Sequence, residues 1–151
     1  MKNLIPFIAI VIASPIIYYY LHKTNRLNNL KKGTFFIFIL AFTITELGRN
    51  FYRPYIYSHI INDYFIADTI GNSFGTVTII FFTLTMVGKG INKDFILIST
   101  IILGLLLYEG SNYLFHYPID INDLIATILF GLISIFIYWR LLKRFRKQTN
   151  Y

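Results

Sequence analysis

The chain has 151 residues, of which 56% are hydrophobic and only 14% charged, with a formal net charge of +7 and no cysteine. A soluble domain usually carries about 25% charged residues, so the composition points away from an ordinary globular domain. The missing cysteine excludes disulfides, thiolate metal sites and cysteine nucleophiles.

Long uncharged stretches read as membrane spans, and five occur here, predicting an all-α integral membrane helical bundle. The first covers residues 4–21. A signal peptide is its alternative reading, with Lys2 as the charged start, but the stretch exceeds the usual 7–15 apolar residues and no clear cleavage site follows. SPIIYYYLHK instead reads as a helix end, with Tyr18, Tyr19 and Tyr20 at headgroup level and His22 and Lys23 in water. The second run, residues 34–45, is short and reaches Leu47 at most. The linker RNFYRPYIYSHIINDYF follows, too rich in charge and aromatics to span. It suits an interfacial piece, with Tyr52, Tyr55, Tyr57 and Tyr64 at the headgroups and Arg49 and Arg53 free to meet lipid phosphate or nearby acids. The third run is 69–87, the fourth 95–108, continuing past Glu109, and the fifth 124–139. One transmembrane domain over residues 1–151 results.

All basic residues except Lys2, Arg49 and Arg53 fall between runs one and two, between three and four, or after five. The positive-inside rule puts them in the cytoplasm, with the N-terminus outside and the C-terminus inside a cell membrane. Basic charge placed this way reports topology and contact with anionic lipid, not nucleic acid. The acids are distributed in reverse. Glu46, Asp63, Asp68, Glu109, Asp120 and Asp123 fall at or near the outer helix ends, and Asp94 alone is cytoplasmic.

Runs two and three, and runs four and five, read as two hairpins. In each, an acid near the end of the rising helix is followed by an amide, then a linker, then an acid, a small polar residue and a glycine. Glu46, Asn50, Asp68, Asn72 and Gly75 fill the first copy; Glu109, Asn112, Asp123, Thr127 and Gly131 fill the second. This is the pattern of a parallel repeat about an axis along the membrane normal, over roughly residues 34–88 and 94–142.

On a helix, Asp68, Gly71, Asn72 and Gly75 share one face. Gly71 and Gly75 form a GxxxG pair, predicting a close helix contact or a membrane-protein partner there. The plainer reading of Asp68 is a helix cap. Asp120 and Asp123 likewise fit an N-cap and a capping box after Pro118. Capping does not explain Glu46 and Glu109, near C-terminal helix ends where the dipole disfavours negative charge. An acid so placed at membrane depth is a functional candidate; a salt bridge to Arg49 or Arg53 is the structural alternative. GNSFG also matches the G-x-S-x-G nucleophile elbow around Ser73, with His59 and His116 on the same side, but that motif needs a strand and a sharp turn. Glu109, His116 and Asp123 fit no compact metal spacing, so no metal and no cofactor is expected.

Glu46 followed by Asp68-Thr-Ile-Gly-Asn72-Ser-Phe-Gly75, and Glu109 followed by Asp123-Leu-Ile-Ala-Thr127, resemble the VanZ-like membrane proteins, over roughly residues 40–135. The second copy departs, with Thr127 for asparagine and Gly131 one residue late. Arg49 and Asn112 stand three residues after the glutamates, and the glutamine often found after the glutamate is absent. The resemblance implies a small multi-helix bacterial membrane protein, with a link to glycopeptide resistance through the family's namesake.

The expected function is non-enzymatic: an outward acidic cleft built from Glu46, Arg49, Arg53, Asp68, Asn72, Glu109, Asn112 and Asp123. It would bind a membrane lipid, a lipid-linked envelope precursor or a cationic amphiphile. The rivals are an ion or proton pathway through the paired carboxylates and a scaffold subunit of a membrane complex.

Overall fold

A computed structural model describes residues 4–111 and 120–146. Every element among them is helical: α1 (Ile5–Lys23), α2 (Asn29–Leu47), a π turn (Gly48–Tyr52), α3 (Arg53–His59), α4 (Ile66–Val87), α5 (Lys93–Ser111) and α6 (Ile121–Arg146). Four of them, α1, α4, α5 and α6, are long and apolar enough to cross a membrane. The second expected span does not meet that standard. α2 has 19 residues but carries Lys31, Lys32 and Glu46 within them.

The helix ends follow from local chemistry. Asn28 caps α2, its side chain accepting from the Lys31 amide at 2.8 Å, which satisfies one of the orphan donors of a first turn. α2 then runs without a break into the π turn and α3. That continuous rod ends at Ile60, whose φ of 53° is left-handed. Tyr64 and Phe65 are left-handed too. Such conformations cost side-chain-bearing residues on the order of 1–3 kcal/mol each, and here they turn the chain into α4. Asp63 closes the turn by accepting from the Ala67 amide at 2.6 Å. Asp63, not Asp68, therefore does the capping at the start of α4.

α4 is the central helix, packing on α2 and α6, while α5 lies against α6. The core joins Phe38 and Ala41 of α2, Val77, Ile80, Phe81 and Leu84 of α4, Ile98 of α5, and Tyr138 and Leu142 of α6. Phe38 meets Phe82 and Phe74 meets Phe130, each pair with ring centroids 5.1 Å apart. α1 is apolar all round, yet only Leu21 of it is buried. It touches α2 through Phe7 on Phe51 of the π turn and Tyr18 on Phe35.

Close helix approach does not occur where the GxxxG pattern put it. Among the described residues, no atom outside its own helix backbone lies within 4 Å of a Cβ built on Gly75, and a Cβ on Gly71 would meet the side chain of Arg49 rather than a backbone. The tight contacts are at Gly48, where a Cβ would clash with Ile70 Cδ1, and at Gly131, where it would stand 2.7 Å from Ile102 Cδ1.

With α2, α4, α5 and α6 running alternately up and down, the bundle has two chemically distinct ends. Lys23, Arg26, Lys31, Lys32, Lys89, Lys93, Arg140, Lys143 and Arg144 gather at the end of the α4–α5 loop, the basic end. Glu46, Asp63, Asp68, Glu109, Asp120 and Asp123 gather at the other, the acidic end, with Arg49 and Arg53 among them.

Candidate functional site

The acidic end is organised around Arg53, the first residue of α3. Its Nε donates to the Tyr57 hydroxyl at 3.0 Å and its Nη2 to Asp68 Oδ1 at 3.3 Å. The Tyr57 hydroxyl donates to the same Asp68 oxygen. One turn of α3 puts Arg53 and Tyr57 on one face, and α4 brings Asp68 to them in its own first turn. The Tyr57 hydrogen bond is the main influence raising the Arg53 pKa, with the Asp68 charge adding to it against some desolvation. The guanidinium stays charged at any physiological pH. Arg53–Asp68 is the ion pair found among the described residues, with side chains 44% and 36% exposed.

The cluster continues across α4 to α6. Asn72, one turn after Asp68, lies beside Asp123, with Asp68 and Arg53 near enough to act on it through their charges. Oδ1 of Asp123 is buried without a hydrogen-bond partner among the described residues. The expected capping box is thus half formed. Asp120 does cap α6, accepting from the Asn122 amide at 2.9 Å, but Asp123 turns inward and keeps an unmet acceptor. A buried acceptor in this condition costs about 1–3 kcal/mol until a donor reaches it.

Glu46 is held differently. Asn50 Nδ2 donates both to its main-chain oxygen at 3.0 Å and to its Oε2 at 3.1 Å. Neither Arg49 nor Arg53 bridges to it, so the salt-bridge explanation of this acid does not apply. Glu109 is half-buried in the last turn of α5 at the same end of the bundle. Asn112 and His116 lie outside the described residues. Tyr52 joins the π turn to the α4 entry: desolvation first, then Asp63 beside its hydroxyl, push its phenol above the ordinary range.

Arg49 stands apart from this cluster. It lines a cavity of about 1110 Å3 along the π turn, together with Leu47, Asn50, Phe51, Tyr55 and Ser58, and none of the described lining residues is acidic. The acidic cluster and the cavity are therefore neighbours rather than one cleft. The π turn itself had no sequence signal beyond Gly48 and the aromatic run; such turns are often found at functional sites.

Ser73 is buried in the continuous helix α4. No strand or sharp turn precedes it, so the nucleophile elbow is absent. His59 contacts Ser58 and the Tyr55 carbonyl instead. No group of three potential metal ligands occurs among the described residues.

The basic end holds a second polar assembly that the sequence reading overlooked. Asp94 accepts from the amides of Lys89, Gly90 and Ile91, at 3.0, 2.7 and 3.3 Å, and from the Tyr138 hydroxyl. Lys31 donates to the carbonyls of Leu84 and Thr85 at 2.7 and 2.6 Å, and Arg26 to that of Met86 at 2.8 Å. Those carbonyls lie in the last turn of α4, where cations are favoured; Thr85 and Met86 supply free helix-end acceptors, while the Leu84 carbonyl also accepts from the Gly88 amide. The legible signal was GKGINKD, a glycine-rich turn whose amides converge on a following acid.

The chain matches no protein-family model, and no curated protein or solved structure is significantly similar to it.

Proposed function

We propose that the protein is a five-span membrane protein whose acidic end faces away from the cytoplasm and binds a polar or cationic envelope component. The observation that carries this reading is the continuity of Arg53, Tyr57 and Asp68 with Asn72, which hydrogen-bonds the Asp123 carboxyl, and with Asp123 itself, whose buried Oδ1 has no donor among the described residues. Residues from α3, α4 and α6 converge there, and a ligand bringing an ammonium or amide N–H would satisfy the acceptor. Membrane insertion is supported by four sufficiently long apolar helices and by apolar side chains such as Ile5, Val11, Phe36, Ile96 and Leu107, each more than half exposed. In water those surfaces would drive aggregation. α2, framed by α1, α4 and α6, would cross as the least apolar span. Segregation of basic residues at the other end supports a cytoplasmic C-terminus.

The assembly of Asp68 with Asn72 next to Asp123 also supports kinship with the VanZ-like proteins, because these are positions of the resembling motif. Under that kinship a role in tolerance to glycopeptides or cationic amphiphiles follows.

The test is tolerance of a bacterial host to a glycopeptide antibiotic and to a cationic detergent, with each variant's abundance in the membrane measured in parallel. Asp68→Ala and Asp123→Ala are expected to abolish the tolerance that the wild type confers, at unchanged abundance. Wild-type tolerance in both variants would refute the reading. A proton pathway is the second reading, favoured by the same unpartnered oxygen, which can carry a proton instead of meeting a ligand. Asp123→Asn separates the two: a binding role retains part of its activity, and a proton relay retains none. Reporter fusions at each terminus test the orientation.

A further inference from the structure

Arg49 is the cation that the acidic cluster does not use. It has no ion pair or hydrogen bond among the described residues, whereas Arg53 nearby is held by Tyr57 and Asp68. Its guanidinium is seated where α4 has no side chain: a Cβ on residue 71 would stand 3.3 Å from Arg49 Nε and 3.4 Å from Nη2. Beside it the cavity of about 1110 Å3 is walled by Leu47, Phe51 and Tyr55, which are 45%, 36% and 55% exposed. Asn50 and Ser58 add polar edges. Glu46, the acid nearest in sequence, gives its Oε2 to Asn50 and is not part of the wall. The cavity lies just past the apolar stretch of α2 and is lined in part by Tyr52 and Tyr55. Aromatic residues gather in this way at the headgroup layer.

An apolar trough with a single unpaired guanidinium at headgroup depth is complementary to a molecule that is anionic at one end and apolar at the other. We infer that this groove binds one anionic glycerophospholipid from the surrounding membrane, with its phosphate on Arg49 and an acyl chain along Leu47, Phe51 and Tyr55. Guanidinium suits a phosphate because its planar donors match two oxygens at once. The inference rests on membrane insertion but not on the acidic cluster, and the ligand chemistry is opposite in charge to that of the cluster. Arg49 lies within the π turn that runs along the groove.

The experiment titrates the purified full-length protein in detergent with phosphatidylglycerol or phosphatidylcholine of identical acyl chains, counting bound lipid by native mass spectrometry. The wild type is expected to hold one phosphatidylglycerol more tightly than any phosphatidylcholine. Arg49→Gln should weaken that first phosphatidylglycerol about ten- to hundredfold, the loss of one charge-assisted contact. Arg144→Gln, a basic residue at the opposite end, should leave it unchanged, and so should Asp123→Asn. Leu47→Trp, which fills the trough without touching the charge, should also displace the lipid and serves if Arg49→Gln fails to fold. Equal binding of the two lipids by the wild type, unchanged phosphatidylglycerol binding by Arg49→Gln or Leu47→Trp, or displacement by inorganic phosphate overturns the inference. Loss of binding in Asp123→Asn overturns it as well, since the headgroup would then sit on the acidic cluster. Failure of the acidic-cluster reading leaves all of these readouts intact.

Discussion

The two ends of the bundle hold similar numbers of polar side chains and treat them in opposite ways. At the basic end, Asp94 is 4% exposed and Lys31 6% exposed, and among the described residues both buried charged groups have hydrogen-bond partners within the chain. Three loop amides and the Tyr138 hydroxyl close around the carboxylate, and two helix-end carbonyls close around the ammonium. At the acidic end the Arg53–Asp68 pair is half-exposed, Asp123 keeps a buried oxygen without a partner among the described residues, and an open groove runs along the π turn. Buried polar groups that satisfy one another rigidify a fold, whereas a deficit retained in a folded chain costs stability and calls for another explanation. The comparison marks the basic end as the place where polar groups stabilise the fold, and the acidic end as the place where the proposed binding is to be tested.

The sharpest way to break that assignment is Asp94→Ala. It removes the acceptor of three part-buried loop amides and of the Tyr138 hydroxyl, and the expected loss is about 2–3 kcal/mol. Thermal unfolding in detergent reads it; a variant as stable as wild type would remove the structural role of the basic end. Gly48→Ala comes next. Its Cβ must displace Ile70 Cδ1, the far end of a flexible side chain, so about 1–2 kcal/mol is expected for the overpacking. Adding Ile70→Ala should relieve the clash, and a double-mutant cycle measures the coupling. Arg53→Gln should cost less than about 1 kcal/mol, because exposed ion pairs contribute little. The same variant should abolish the tolerance phenotype, which contrasts directly with Asp94→Ala. The smallest loss belongs to Gly75→Ala, expected to be nil, because no atom of the described residues outside its own helix backbone lies within 4 Å of the new Cβ and alanine is the better helix former. A large loss there would restore the GxxxG seam as a contact, with a partner chain in place of a neighbouring helix.

Which residues the sequence reading reached, and which it missed, follows from the range of the forces involved. Asp120 was recognised as a cap because capping is local, a matter of a side chain and an amide two residues away. The five apolar runs were legible because helix formation and hydropathy are sums over neighbours, although the charges in α2 keep it below the standard of the other four. Asp68 was assigned to a packing face that could meet a partner charge, and Arg53 supplies it. Asp63 as the true cap of α4 was missed, since the left-handed turn at Tyr64 and Phe65 sets the helix start and leaves little trace in composition.

Chain order, helical class, the apolar runs and the segregation of charge were determined by the sequence alone, because each depends on residues close together along the chain. Tertiary structure decided the rest. Asp94 and Tyr138 are 44 residues apart, and Lys31 lies 53 residues from the Leu84 carbonyl. Asp68 and Asp123 become neighbours only because α4 packs on α6. The freedom of Arg49, the emptiness beside Gly75 and the crowding at Gly48 depend on how one helix is rotated against the next. That rotation is set by the fit of many side chains at once, which no local pattern encodes.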